Sequence, residues 1–222
     1  MLSSSNSDPS PNPSQFVEHV VLFKVKPDAD PSAVNAMFSN LNGLNSLDPV
    51  LHLKAGPIAR TRSSPLYFTH MLHSRYRTKT DLRSYADHPA HIRVVTSYGM
   101  AIVDDIMAVD WVSDDVTGSI IVPAGSTMRV TFLKLKEGVE ESSKNEILGV
   151  VKRIKEQFPS IKQLTVGENF SPGRAKGFSI GSIAVFEGMT DLDALDLESG
   201  LANEQKEFLD GTLVLDFVVP SV

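Results

Sequence analysis

The chain has 222 residues and a formal net charge of −6, from 21 Lys and Arg against 27 Asp and Glu. It has no cysteine, which excludes disulfides, thiolate metal sites and thiol nucleophiles, and its acidic balance disfavours a phosphate-backbone binder, which needs clustered cations. With 41% hydrophobic and 22% charged residues it reads as an ordinary globular chain, long enough for one large domain or two of about 100 residues.

The first 15 residues, MLSSSNSDPSPNPSQ, are rich in Ser, Asn and Pro, so residues 1–15 are expected to be a disordered arm. They lack the apolar core of a secretory signal and the arginines of a mitochondrial presequence, and the closing PSV is not a peroxisomal address. No apolar run approaches a membrane span. The expected location is cytoplasmic, or peroxisomal or plastid should the natural chain be longer, with neither nucleic acid nor membrane as partner.

From Val17 the chain alternates. Val17, His19, Val21, Phe23 and Val25 fall on one face of a strand, and Glu18, Val20, Leu22, Lys24 and Lys26 on the other. A helix follows, with Asp30 as its cap, Pro31 at its first position, and Val34, Met37, Phe38 and Leu41 as its apolar stripe. A short strand is predicted around Leu51 to Ile58 and a longer one over Leu66 to Tyr76. TKTDLRSYADH reads as a second helix and IMAVDWV as the closing strand.

This pattern occurs twice. EHVVLFKVK (Glu18 to Lys26) reappears as MRVTFLKLK (Met128 to Lys136), and FTHMLHSRYRTKTDL (Phe68 to Leu82) as FSIGSIAVFEGMTDL (Phe178 to Leu192). AVDWV (Ala108 to Val112) matches VLDFV (Val214 to Val218), and Gly56 matches Gly167. The expected organisation is a first unit over 16–113, a linker over 114–126 and a second unit over 127–222. Each unit reads β-α-β-β-α-β, an α+β sheet with helices on one face. The other face needs cover, and two units can stack those faces.

All six histidines, His19, His52, His70, His73, His88 and His91, lie in the first unit. At the repeat spacing Arg129, Ile180, Leu195 and Leu201 replace His19, His70, Tyr85 and His91, so the fold does not need these polar groups. His19 and His70 sit on two strands of one sheet. His73 points to the opposite strand face from His70 and is expected at the surface, as is His52. In YADHPAH, Pro89 fits the start of a short helix, with His88 at its cap and His91 in its first turn. A helix N-terminus disfavours imidazolium, which leaves His91 neutral and able to accept a proton. The break at Pro89 allows Tyr85 to fold back toward it. Metal binding by the two H-x-x-H pairs is the rival use, but neither pair has the i, i+4 geometry of a helical zinc site.

EHVVLFKVK, YFTHMLHSRYRTKTDLRSYADHPAH and DDIMAVDWV resemble the stress-responsive α/β-barrel domain (Dabb) family of plants and bacteria, over about Phe16 to Val112. The second unit resembles it through its strands and helices, without the histidine motif. The tandem layout is similar to two-domain plant members. The resemblance implies two ferredoxin-like units packed as an intramolecular dimeric α+β barrel, giving a monomer with an internal pseudo-dimer, or a homodimer. It also implies a polyketide cyclase-like lyase, as in the member olivetolic acid cyclase, which closes a linear poly-β-keto thioester by aldol condensation without a cofactor. By the same resemblance His91 is the general base, Tyr85 holds either His91 or the developing oxyanion, and His19 and His70 line a cavity for an apolar, carbonyl-rich ligand. A structural magnesium ion is implied near the main-chain carbonyls of Leu44, Leu47 and Val50. The alternative is a stress-linked binding or structural protein without turnover.

Overall fold

The computed structural model describes residues 15–113, 118–198 and 206–221. The first unit comprises β1 (Phe16–Val25), α1 (Pro31–Gly43), β2 (Val50–Pro57), β3 (Arg60–Ser63), β4 (His70–Tyr76), α2 (Lys79–Ala86), α3 (Pro89–Val94) and β5 (Val103–Ser113). The second comprises β6 (Thr127–Leu135), α4 (Glu141–Gln157), β7 (Gln163–Glu168), β8 (Ile180–Phe186), α5 (Met189–Glu198) and β9 (Leu209–Val218). The arm expected over 1–15 lies outside the described residues except for its last residue.

Local chemistry sets the helix starts. The Asp30 carboxylate accepts the Ser32 N–H at 2.7 Å, with Pro31 at the first position of α1. Thr78 and Asp81 cap α2 reciprocally, a capping box. Two features go beyond the sequence reading. The strand expected from Leu66 begins only at His70, and the chain before it forms the short strand β3. α3 continues into a π-helical turn, Val95–Gly99.

The strands form two antiparallel sheets, ordered β2-β4-β1-β5 and β3-β9-β6-β8-β7. β3 belongs to the first unit yet pairs with β9 of the second, setting Arg60 against Asp216. The second unit reciprocates through a bridge from Asn169 to Trp111. Ala59 N–H donates to the Asp216 carbonyl and Phe170 N–H to the Asp110 carbonyl, both at 2.9 Å. The barrel is therefore two stacked ferredoxin-like sheets joined at two pseudo-symmetric corners, not one closed ladder.

The stacked faces hold the main core. Val20, Leu22, Met71, Met107, Val109 and Trp111 meet Met128, Val130, Phe132, Ile183, Leu215 and Phe217. Fully burying one such side chain is worth about 1.5–3 kcal/mol. A second core lies under the first unit's helices, where Met37, Phe38 and Leu41 of α1 pack with Val17, Phe23, Leu72 and Tyr85.

The stacking corrects two expectations. His73 and His52 are not surface residues: they are 0% and 3% exposed. The face opposite His70 is the one the second unit covers. There Glu18, itself fully buried, accepts from His73 Nε2 at 2.6 Å, Arg75 Nη2 at 2.9 Å and Thr165 Oγ1 of the second unit at 3.0 Å. Burial opposes ionisation of Glu18, but the charges and hydrogen bonds of Arg75 and His73 outweigh it and hold its pKa down to about 2. Burial pushes His52 down to about 3 and lowers His73 as well. Residues 114–117 of the linker lie outside the described residues. Of the rest, Val122 is buried, the Ile120 carbonyl accepts from Arg75 at 2.7 Å, and the Ser119 carbonyl from Gln163 at 3.0 Å.

Candidate active site

A cavity of about 630 Å³ opens between the helix-covered face of the first sheet and the segment running from α2 to the π-helical turn. That size suits a drug-sized small molecule. Strand parity selects its floor: His19, Val21 and Phe23 from β1, Leu72 from β4, and Ile106 and Ala108 from β5. Met37 and Leu41 of α1 and Leu82 of α2 add apolar wall. The polar groups are few, and His19, Tyr85 and His91 are the three that the sequence singled out.

YADHPAH is arranged as its spacing suggests. His88 is the cap residue of α3, and its Nδ1 accepts the Ala90 N–H at 3.1 Å. His91 turns the other way. Its Nδ1 faces the Ala86 carbonyl at 2.9 Å. A carbonyl only accepts, so Nδ1 carries the proton and Nε2 of the neutral ring keeps its lone pair. Burial lowers the pKa of His91, the charges of His19, Arg174 and His88 act in the same direction, and the Ala86 bond opposes them. The Tyr85 ring lies 4.7 Å from the His91 ring, centroid to centroid. Tyr85 is 2% exposed, and burial pushes its pKa up, so its hydroxyl stays protonated and able to donate. Behind it Tyr76, at 5.3 Å between ring centroids, has its hydroxyl 3.0 Å from Ser74 Oγ.

His19 has a partner the sequence reading missed. Its Nδ1 lies 2.5 Å from Asp110 Oδ1, directly across the β1–β5 ladder. Burial works against ionisation of Asp110, but the His19 charge and hydrogen bonds from His19 and Ser171 hold its pKa low. The acceptor fixes the ring, as a carboxylate does in a catalytic dyad. The signal was present: Asp110 in AVDWV matches Asp216 in VLDFV, and Arg129, in the place of His19, binds Asp216 at 2.9 Å.

His70 is not brought to the cavity wall. Its ring stacks on Phe38 at 4.3 Å and its Nδ1 lies 2.9 Å from Thr69 Oγ1. Burial lowers its pKa. It therefore supports α1 from beside the site rather than facing it. In the second unit Ile180 is buried core, while Leu201 and the Leu195 side chain lie outside the described residues.

The turn after α1 is a 3₁₀ turn, Leu44–Ser46. The Leu44 and Leu47 carbonyls accept the N–H of Leu47 at 3.1 Å and of Val50 at 2.9 Å. Each carbonyl keeps a second lone pair, which suits a hydrated cation in a structural role. Among the described residues no group of three or more His, Asp or Glu could hold a metal ion, and no helix is long and apolar enough to cross a membrane.

A model of the stress responsive A/B barrel domain matches residues 17–113 and again 128–219. The chain is 52% identical over 212 residues to a stress-response A/B barrel domain-containing protein of Arabidopsis thaliana, covering 94% of this chain and 80% of that protein. It is 48% identical over 211 residues to a second such protein of the same plant, covering 94% and 99%. Among solved structures, a Fusobacterium nucleatum protein shares the fold with a TM-score of 0.65 at 14% identity, covering 94% of each chain.

Proposed function

This chain belongs to the stress responsive A/B barrel domain family, and from that premise we propose that its first unit is a cofactor-independent acid–base lyase. The ligand is an apolar, carbonyl-rich molecule, and the reaction is ring closure of the aldol type, as in a polyketide cyclase. The observation that carries this reading is the facing pair of Tyr85 and His91 in a cavity of otherwise mostly apolar wall.

In this reading His91 Nε2 takes a proton from the carbon between two carbonyls. The resulting enolate carbon bonds to a second carbonyl carbon of the same molecule. Tyr85 donates a hydrogen bond to the alkoxide that forms, and the protonated His91 returns its proton there, so no oxidant or reductant is needed. His19, fixed by Asp110, binds a substrate carbonyl. His70 acts at one remove, through Phe38. A magnesium ion on the Leu44, Leu47 and Val50 carbonyls would brace the turn after α1 and takes no part in the chemistry.

The test is incubation of the full chain with a linear poly-β-keto thioester, with ring closure followed by mass and absorbance. Cyclised product that disappears in His91→Ala supports the reading. Ligand binding without product, in the unaltered chain, supports the non-catalytic binding role instead.

A further inference from the structure

The second unit lacks the histidines, yet one of its segments reaches the first unit's cavity. Asn169 to Lys176 crosses the corner and is pinned at both ends. Upstream, Asn169 Oδ1 accepts the Asp110 N–H at 3.1 Å and Phe170 N–H donates to the Asp110 carbonyl at 2.9 Å. Downstream, Lys176 Nζ binds Asp105 at 2.8 Å, and Ala175 is fully buried. Between these anchors, on the 3₁₀ turn Pro172–Arg174, Arg174 stands on the cavity wall.

Among the described residues no carboxylate lies in ion-pair reach of Arg174. Of the two acids on the same wall, Asp105 is held by Lys176 and Asp104 is exposed. The other corner shows what such an arginine does. There Arg62 and Arg60, carried across by the first unit, meet the Asp216 carboxylate at 3.0 and 3.4 Å. In the second unit this acceptor is internal. At the first unit's cavity the matching Asp110 pairs with His19, and among the described residues no arginine meets it across the corner.

We propose that Arg174 is a specificity residue contributed by the second unit, and that the first unit's cavity takes, besides the thioester of the proposed reaction, an amphipathic acid as a ligand. Its apolar body lies against Phe23, Leu41 and Leu72, and its carboxylate meets Arg174 at the mouth. This rests on the cavity being a small-molecule site. A single guanidinium matches a carboxylate in charge and in its two-oxygen fork. A phosphate dianion shares that chemistry, but would face Asp104 and Asp105 with excess negative charge.

The experiment is calorimetric titration of the full chain with decanoate, 1-decanol and decyl phosphate. The expected result is decanoate bound about three- to tenfold more tightly than decanol, with that ratio falling to about one in Arg174→Gln. It should shrink as salt is raised, since the mouth is open to solvent. Ala108→Trp, which fills the wall, should abolish binding of both. Decanoate binding that survives Ala108→Trp, or tighter binding of decyl phosphate than of decanoate, overturns the proposal. Equal binding of decanoate and decanol by the unaltered chain also overturns it, but leaves the cavity as a ligand site. Failure of all three probes to bind removes both.

Discussion

Trp111 of the first unit lies against Gly181 of the second so closely that a Cβ on Gly181 would stand 2.5 Å from its indole ring. Gly167, the cross-strand partner of Gly181, opens the other side of the slot: a Cβ there would meet the Val112 carbonyl at 2.7 Å. Two paired glycines thus make room for the one tryptophan. Gly181→Ala should overpack this interface and destabilise the chain by about 1–3 kcal/mol. Urea unfolding should show a lower midpoint with an unchanged slope. An unchanged midpoint would mean that the sheets are not held in this register.

The Glu18–Arg75 pair is an ionic contact inside an apolar interface. Arg75→Met alone leaves the Glu18 carboxylate buried beside His73 and Thr165, without its main counter-charge. That should cost about 3–5 kcal/mol, whereas Glu18→Leu combined with Arg75→Met should cost much less. A double-mutant cycle by chemical denaturation measures the difference. Additive losses would show that the two charges do not depend on one another.

Acid should weaken the fold in two windows. His52 has a folded pKa of about 3 against an ordinary 6.5. The unfolded chain therefore takes up a proton first as pH falls, and stability that is full above about 6.5 is lost down to about 3. His73, also lowered by burial, acts in the same direction. Glu18, lowered from 4.5 to about 2, adds a loss between those values. Each group contributes at most about 1.4 kcal/mol per pH unit within its window. Unfolding free energies measured from pH 7.5 to 4 should fall steadily, and His52→Leu should flatten the upper part of the curve. A curve flat down to pH 5 would contradict the burial of His52 in neutral form.

The two histidines of YADHPAH should separate cleanly. His88→Ala removes a cap and should cost about 1 kcal/mol of stability with little effect on turnover. His91→Ala should reduce ring closure by about 10²–10⁴-fold, the contribution of a positioned general base. Tyr85→Phe should keep the fold and lose most of the rate. Thermal melts alongside product assays read both effects. Equal behaviour of His88→Ala and His91→Ala on both measures would end the division of roles.

Much of this was legible in the chain itself. The 110-residue repeat, the strand alternation from Val17, the Asp30–Pro31 helix start and the His88 cap are local patterns, each governed by neighbours a few residues away. They set out the α+β units and put Tyr85 and His91 on either side of the break at Pro89, where the fold brings their rings to 4.7 Å. Tertiary packing set what lies against each face of the first sheet. Parity placed His73 opposite His70, but only the stacked sheet made that side an interior, with His52, Glu18, Arg75 and Thr165 in it. It moved His70 off the cavity wall onto Phe38, and it paired His19 with Asp110, 91 residues away. It also carried Arg174 across a corner to a site in the other half. Periodicity reports which side of an element a residue occupies. What lies against that side is a long-range packing outcome, and one sequence does not encode it locally.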